Sequence, residues 1–312
     1  MEKTSEILLD STGKRISNAM RKQTDFLYQI ALADKPAVND WVGIQKIVQN
    51  GDATKFFNIG DQLTTEWKDT LGGENNTVYE VPMDIVKFGD VTLEDGSIIP
   101  GMYLQWHYCL PFGVQFDAKE PENSDANIKQ YGYNRWAHSG LRQFLNSNET
   151  KNNWWKSMHE HDVAPEQLST TDGFLCGFQD PKFLNAIKPT KITTSKNTVT
   201  DDGSIETTYD KFFLPSLEQI YAQKQIAGEG DVFEYWKEAV GTPEPNGWWS
   251  GNANQAYKIY SIDNKTSSQV VFLRSALRGN SCNVWTLTSD GYVYDGNFAY
   301  FASRCSPVCV VC

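Results

Sequence analysis

The chain has 312 residues, of which 40% are hydrophobic and 13% aromatic, so it is long enough to bury a substantial core. Its formal net charge of -11 argues against nucleic acid or an anionic membrane as a partner, because both attract a basic patch. No apolar run reaches the length that a transmembrane helix needs, so a membrane is not expected as a partner either.

The first 35 residues have the pattern of an amphipathic helix. Ile16, Met20, Leu27 and Ile30 recur at three- and four-residue multiples, with charged residues between them. We expect this helix, residues 1–35, to attach the chain to a partner or to a second copy of itself; packing on its own chain is the plainer alternative. The opening residues lack the apolar run of a signal peptide, which predicts synthesis in a cytoplasm.

Residues 36–130 are predicted to form a β-rich part. Residues 79–88 and 97–110 are rich in β-branched and aromatic side chains, and the turn signal at 93–96 lies between them. The polar stretch 117–130 is predicted to be a loop. A short helix is predicted in this part, at residues 41–50. Three more are predicted after residue 130, at residues 138–146, 180–187 and 214–221.

Residues 131–312 are predicted to form a second unit with mixed sheets and irregular loops, which makes the whole chain α+β. Residues 191–209 have the composition of a hairpin with an exposed tip, and 227–247 are predicted to be a surface excursion. Residues 270–275 are predicted to form a strand, because they are rich in β-branched and other large apolar side chains.

The last thirty residues are predicted to be strands. Residues 283–287 and 292–293 flank a turn in which Gly291 supplies a positive φ. The apolar stretch 307–312 should be a buried strand that holds the C-terminal end in a sheet. Three cysteines within or next to this stretch are one ligand short of a structural zinc site, so we predict buried apolar side chains: Cys305, Cys309 and Cys312.

Catalytic signals are weak along the whole sequence. His159 and His161, separated by Glu160, would face the same way on a strand and approach a metal ion, but no third ligand follows from the sequence. An exposed charged loop is the favoured interpretation. The sequence has no nucleophile elbow, phosphate-binding glycine loop or metalloprotease motif. We therefore expect no catalytic residues, no metal, no cofactor and no enzymatic activity.

The composition between Asn280 and Ser303 is unusual. It includes no Lys, Glu, Gln or Met and a single Trp, although Lys and Glu are the commonest residues on soluble surfaces. Lys, Glu, Gln, Met and Trp are the residue types that an AAC codon cannot encode after both of its adenines are randomised. Tyr, Ser, Gly and Asn, which remain, dominate antibody-type binding sites. The composition predicts a binding surface; a Tyr- and Gly-rich hairpin without a ligand is the plainer alternative.

We expect the polar and aromatic residues of this window to converge on one exposed face. Strand alternation should direct Val284, Leu287 and Val293 into the core. Trp285 cannot descend from an AAC codon and should be a fixed residue beside or beneath the face. The candidate ligand-binding residues are Ser281, Cys282, Asn283, Trp285, Thr286, Tyr292, Tyr294, Asp295, Gly296, Asn297, Phe298, Tyr300, Phe301 and Ser303.

The C-terminal portion resembles the variable proteins of diversity-generating retroelements. The matching features are VVFLRSA at 270–276, the window at 279–305 and the closing SPVCVV at 306–311. Four further blocks resemble a group of such proteins that is common in phages and prophages: residues 56–63, 104–118, 131–147 and 209–221.

The resemblance implies a C-type-lectin-like fold, shared with formylglycine-generating enzymes, in which adenine-directed mutagenesis rewrites residues of about 280–304. It implies recognition of a host-surface protein or glycan, with display on a phage tail for host attachment; tail proteins would then be further partners. The alternatives are a structural tail component and a glycan-binding or glycan-acting protein. The expected location is the virion, the alternatives being the bacterial cytoplasm or cell surface.

Overall fold

The computed structural model describes residues 40–71, 76–222, 226–240 and 257–312. The predicted helix at residues 1–35 lies outside these ranges. Within them the chain is α+β, with more residues in sheets than in helices. None of the helices in these ranges is long and apolar enough to cross a membrane.

The described helices are all short and serve to cover the sheets. Asp40 caps the first of them by accepting a hydrogen bond from the Val42 amide, 3.3 Å away. The Trp41 ring of that helix packs 4.7 Å from the Phe183 ring of another, which fixes both against the core. The helices are α1 (Trp41–Gln49), α2 (Ala53–Phe56), α3 (Ala126–Tyr131), α4 (Gly140–Leu145), α5 (Pro181–Ala186) and α6 (Glu234–Val240).

The strands form one five-stranded sheet and three smaller sheets. The large sheet has the antiparallel order β1-β2-β3-β12-β7, and the second has the order β10-β9-β8. Two-stranded sheets join β11 to β4 and β5 to β6. The strands are β1 (Gln62–Lys68), β2 (Val78–Thr92), β3 (Ile98–Trp106), β4 (Val114–Gln115), β5 (Thr190–Ser195), β6 (Ile205–Asp210), β7 (Phe212–Phe213), β8 (Val271–Ala276), β9 (Asn283–Leu287), β10 (Val293–Phe298), β11 (Ala302–Ser303) and β12 (Val308–Val311).

The terminal strand β12 lies inside the large sheet, between β3 and β7, and all four of its residues are buried. This confirms the predicted burial of residues 307–312. Because β3 belongs to residues 36–130 and β12 to residues 131–312, the predicted border at 130 divides strands that share one sheet.

The three C-terminal cysteines are buried as predicted. Cys305, Cys309 and Cys312 are each at most 1% exposed. Burial raises the pKa of the Cys309 thiol, with a smaller contribution from Cys312, so it stays protonated and packs as a small apolar group.

Several predicted elements are confirmed within a few residues of their expected ends. Residues 41–50, 138–146 and 180–187 contain helices α1, α4 and α5, and the 191–209 hairpin is the β5–β6 pair. The predicted turn after β9 contains Gly291 with φ of 87°.

Two predictions of local structure were wrong. The predicted helix at 214–221 is only a turn, in which the Ser216 hydroxyl accepts from the Gln219 amide at 3.1 Å. It ends because Tyr221 takes a left-handed φ of 57°, which a continuing helix does not allow. The predicted loop at 117–130 contains the start of α3, which Asp125 caps by accepting two backbone hydrogen bonds.

The predicted surface excursion at 227–247 was wrong in its described part. It contains α6, and the side chains of Phe233 and Trp236 are fully buried. Trp236 donates its indole N–H to Gln105 Oε1, 3.0 Å away on β3, which ties this segment to the large sheet.

A buried ion pair links β2 to the described residues that precede β8. Asp84 accepts hydrogen bonds from Lys258 Nζ and from Gln62 Nε2, and His107 Nδ1 lies 2.9 Å from Asp84 Oδ2. The Asp84 and Lys258 side chains are 2% and 0% exposed. Burial alone raises the pKa of Asp84, but the charge of Lys258 and the contact with His107 outweigh burial and hold that pKa well below its usual range.

This pair predicts a dependence of stability on acid. Since the pKa of Asp84 is lower in the folded chain than in the unfolded one, its contribution is present above about pH 4 and is lost as the pH falls below that value. Asp84→Asn should lower the free energy of unfolding at pH 7 by about 3 kcal/mol, because Lys258 is left buried without its counter-charge. Urea denaturation at pH 3 to 7, roughly the span around the unfolded carboxyl pKa, measures both effects.

The matched control is Asp231→Asn, since Asp231 pairs with Lys87 but its side chain is 89% exposed. It should change stability little at any pH. Equal losses for the two variants, or a wild type whose stability does not fall in acid, would contradict the assignment.

Candidate ligand-recognition surface

The window from Asn280 to Ser303 folds into an inner and an outer layer. Strand β9 is paired on one side with β8 and on the other with β10, and all five of its residues are buried. Strand β10 is at the edge of this sheet, and each of its residues retains some exposure. The two layers separate the candidate residues into a buried set and an accessible set.

The inner layer corrects the expectation that all the candidates share an exposed face. Because both faces of β9 are covered, strand alternation does not bring any of its side chains to solvent. Val284 and Leu287 are in the core as predicted, whereas Val293 is only partly buried. The candidates that are buried are Ser281, Cys282, Asn283, Trp285, Thr286 and Ser303.

The buried candidates hold the loop by hydrogen bonds. Ser281 Oγ donates to Asp125 Oδ1 at 2.8 Å, and Asn283 Nδ2 donates to the Asp295 carbonyl at 3.2 Å. Asn297 Nδ2 donates to Ser303 Oγ at 2.9 Å. Burial, followed by the charge of Asp125, raises the pKa of the Cys282 thiol to about 12, so this thiol is protonated at neutral pH and is a poor nucleophile.

The outer layer carries the remaining candidates, which are partly or fully exposed. The Tyr294 and Phe301 side chains are 52% and 41% exposed, respectively, which is high for large rings. The accessible candidates are Tyr292, Tyr294, Asp295, Gly296, Asn297, Phe298, Tyr300 and Phe301.

Three of the accessible rings are in contact with one another and with Tyr131 of α3. Phe298 is stacked on Tyr131 with ring centroids 4.1 Å apart and planes 12° apart. The Tyr300 and Phe301 centroids are separated by 4.4 Å, and Phe301 is 5.6 Å from Phe298. We call these four rings, together with Tyr294 earlier on β10, the aromatic surface.

Tyr131 and Lys119 are functional candidates that the sequence did not reveal. Lys119 Nζ lies 4.1 Å from the centre of the Tyr300 ring, a cation–π distance. The backbone places Tyr131 here, since the Tyr300 amide donates to the Tyr131 carbonyl at 2.9 Å. Lys119 is brought close by the Asp117 amide, which donates to the Ala299 carbonyl at 3.0 Å. Both precede the window whose composition was informative, so only the folded chain brings them together.

Gly296 gives the Tyr294 ring its position. A Cβ atom on Gly296 would lie 2.2 Å from the Tyr294 hydroxyl oxygen and 2.3 Å from Cζ, so the ring lies directly over this glycine. The conflicting atoms belong to an exposed side chain that is free to rotate. A substitution at Gly296 would therefore move Tyr294 and alter the aromatic surface without distorting the backbone.

The side chain of Asn134 is the centre of the buried support. Its Nδ2 group lies within hydrogen-bond distance of the carbonyl oxygens of Leu277, Asn280 and Asn283, at 3.3, 2.7 and 2.8 Å. Its Oδ1 accepts from Asn197 Nδ2 at 3.1 Å, and the residue is fully buried. One amide thus fixes the chain on both sides of the Asn280 turn that leads into β9.

The charged loop predicted at His159–His161 is only partly a solvent-exposed loop. His161 is exposed, but the His159 side chain is 18% exposed and its Nε2 atom lies 2.7 Å from Glu120 Oε1. For His159 the prediction of an exposed position was therefore wrong, because Glu120, 39 residues earlier, forms a buried partner.

Comparison with known proteins gives one family. A family model described as a domain of unknown function, DUF6273, matches residues 102–310, more than half of the chain. No curated protein and no solved structure matches the chain. The matched range contains β4 to β11 with the whole window. It also contains residues 102–106 of β3 and all of β12 except Val311.

The Asn134 centre predicts that the recognition loop depends on one amide. Asn134→Ala should lower the free energy of unfolding by about 3 kcal/mol, because the buried or partly buried carbonyl groups of Leu277, Asn280 and Asn283 lose the two N–H donors that they share. Hydrogen exchange of the amides from 277 to 283 should become faster in the same variant. Denaturation and exchange measurements on the exposed control Asn148→Ala should match wild type. If the two variants behave alike, Asn134 does not support the loop.

Proposed function

The chain belongs to the DUF6273 family, and we propose that it is a ligand-recognition protein that binds through the aromatic surface. The observation that carries the proposal is a group of rings at the surface, in which the partly exposed Phe298 and Tyr300 and the exposed Phe301 lie beside Tyr131. A soluble protein normally buries large rings, and contiguous exposed apolar groups mark sites of interaction. Tyr and other large aromatic residues also supply much of the binding energy at known interfaces.

The polar neighbours of these rings suit recognition rather than catalysis. Asp295, Gly296 and Asn297 lie between Tyr294 and Phe298 on β10 and are partly exposed. Small polar residues beside Tyr provide adjustable hydrogen bonds around rigid apolar anchors, the combination found in antibody-type binding sites. The aromatic surface is built on the edge strand β10 and the loop that follows this strand. A surface of this kind suits contact with a broad face of a ligand.

We further propose that the chain is a variable protein of a diversity-generating retroelement. In this proposal the diversified positions are the accessible candidates alone. Changes at Tyr294 or Phe301 alter exposed atoms, whereas changes at Asn283 or Thr286 disturb buried ones. A site that must accept many residues needs a scaffold whose stability does not depend on them. The buried candidates would then be support, and the changeable positions would be Tyr292, Tyr294, Asp295, Gly296, Asn297, Phe298, Tyr300 and Phe301.

A C-type-lectin-like fold remains part of the proposal. One support is the closing segment 306–311, which is part of the resemblance to the variable proteins. This segment contains β12, a strand inside the large sheet. The fold is also supported by the irregular loops around the short sheets of the C-terminal half.

The proposed setting is the tail of a phage, where the surface would contact a protein or glycan of the host. Residues 1–35 would provide attachment, through tail proteins or self-association, and several copies would strengthen weak binding at each site. Location on the virion is part of this proposal, with the bacterial cytoplasm and cell surface as alternatives.

The proposal predicts that three rings of the aromatic surface dominate binding: the exposed Tyr294 and Phe301 and the partly exposed Tyr300. Each truncated ring should cost roughly 1–4 kcal/mol, so the triple variant Tyr294→Ala/Tyr300→Ala/Phe301→Ala should bind at least about a hundredfold more weakly. The measurement is the binding of labelled full-length protein to a panel of bacterial cells by flow cytometry. Treating bound cells with protease or periodate separates a protein ligand from a glycan.

The matched control is Val78→Ala/Ile98→Ala/Val199→Ala, because these apolar side chains are 50%, 68% and 50% exposed and lie outside the aromatic surface. It should bind like wild type. The proposal fails if the ring variant retains its binding, if both variants lose binding equally, or if the wild type binds no cell in a panel that includes the natural host.

A further inference from the structure

Glu120, His159 and Asp162 form a polar cluster, in which Glu120 directly follows Lys119 along the chain. His159 Nε2 is 2.7 Å from Glu120 Oε1, and His159 Nδ1 is 3.6 Å from Asp162 Oδ2. Each of the three residues offers one ligand atom that lies within 4.8 Å of the ligand atoms of the other two. An imidazole and two carboxylates are thus gathered around one point.

Two of the carboxyl groups at this site have atoms that no described residue satisfies. Asp162 Oδ1 is buried and has no hydrogen-bond partner within the described ranges, and its side chain is only 1% exposed. Asp117 Oδ2 is likewise buried without a partner among those residues. A buried carboxylate oxygen without a partner is costly, so such atoms indicate a missing cation or donor.

The charges at the site favour a cation. Glu120 and Asp162 contribute two carboxyl groups, and His159 is the one basic residue that forms an ion pair with either of them among the described residues. A bound cation would interact favourably with both of these carboxyl groups, whose ligand atoms lie within 4.8 Å of each other and of the His159 ligand atom.

The nearby guanidinium group of Arg135 does not neutralise the site. Arg135 Nη2 donates to Glu206 Oε2 at 2.7 Å, and Nη1 lies 3.4 Å from Asp201 Oδ1. Its positive charge is therefore matched by two acids of its own. Arg135 therefore leaves Glu120 and Asp162 with His159 as their basic partner among the described residues.

The imidazole ring of His159 is held in one orientation. On one side the His138 ring is stacked on it with centroids 5.1 Å apart and planes 19° apart. The Tyr133 ring contacts it edge-on, with centroids 5.2 Å apart. A ring held in this way loses little further rotational freedom when it binds a metal ion.

We propose that Glu120, His159 and Asp162 form a binding site for a divalent transition-metal ion of the Zn²⁺ or Mn²⁺ type. One imidazole nitrogen with two carboxylates is a ligand set that suits these ions, whereas Ca²⁺ and Mg²⁺ prefer oxygen ligands alone. Bonds of about 2.0–2.2 Å require the three side chains to move together slightly. Asp117 would stabilise the ion from behind, and water would complete the coordination.

The bound ion would fix one border of the aromatic surface. Glu120 directly follows Lys119, whose ammonium group covers the Tyr300 ring, and the Asp117 amide donates to the Ala299 carbonyl at 3.0 Å. The ion would therefore anchor residues 117–120 between the two sites. Metal binding is nevertheless separate from ligand recognition, and the experiment below measures it without any ligand.

The test is isothermal titration calorimetry of the chelator-treated full-length protein with ZnCl₂, MnCl₂, CaCl₂ and MgCl₂. A Cys176→Ser background removes the exposed cysteine thiol of the described residues as a competing ligand. We expect one equivalent of Zn²⁺ or Mn²⁺ to bind, with Ca²⁺ and Mg²⁺ at least about tenfold weaker. His159→Ala and Asp162→Asn should each weaken binding by about tenfold or more.

The matched controls are His161→Ala and Glu160→Gln, since both residues are exposed neighbours of His159. They should bind the metal like the background protein. The proposal is overturned if the background protein binds no equivalent of Zn²⁺ or Mn²⁺, or if His159→Ala and His161→Ala bind equally.

A second measurement on the unaltered site covers the case in which a variant does not fold. Co²⁺ bound by one nitrogen and carboxylate oxygens should give visible absorption bands that differ from those of hydrated Co²⁺, without the sulfur charge-transfer bands of a cysteine site. Zn²⁺ should displace it. A spectrum identical to that of hydrated Co²⁺, or one with sulfur bands, would overturn the assignment.

Discussion

The complete burial of β9 is the constraint on which the recognition surface depends. Since β8 and β10 flank this strand and both of its faces are covered, side chains such as Asn283 and Thr286 turn inward and are fixed by hydrogen bonds and packing. Strand β10 and the loop after it then become the outer layer, where most side chains keep some exposure to solvent. The same segment thus supplies both the support and the exposed rings.

This division explains how a changeable surface is compatible with a stable fold. Asn134 fixes the turn at Asn280 through backbone carbonyl groups, so its support does not depend on which side chains occupy β10. Tyr294 lies over Gly296 and is free to move aside. The energy that stabilises the chain comes instead from regions such as the interior strand β12 and the buried Asp84–Lys258 pair.

Local sequence patterns predicted most strands and the composition of the window, because β-branched runs and residue exclusions can be read within a few positions. They did not predict which candidates are buried. If one face of β9 met solvent, the side chains from Asn283 to Thr286 would alternate between core and solvent. Residues far away in the sequence cover the second face, and a local pattern does not show this. Contacts across long separations were missed for the same reason. Tyr131 reaches Phe298, and Glu120 reaches His159, only after the chain has folded.

A saturation substitution scan of positions 281–303, with resistance to protease as the measure of folding, tests the separation of the two layers most directly. The account predicts that nearly every substitution at Tyr294 and Phe301 leaves the protein folded. At Asn283 and Thr286, most substitutions should unfold it, because they remove buried hydrogen bonds or overfill a closed space. Equal tolerance at the two pairs of positions, or greater tolerance at Asn283 and Thr286, would contradict it.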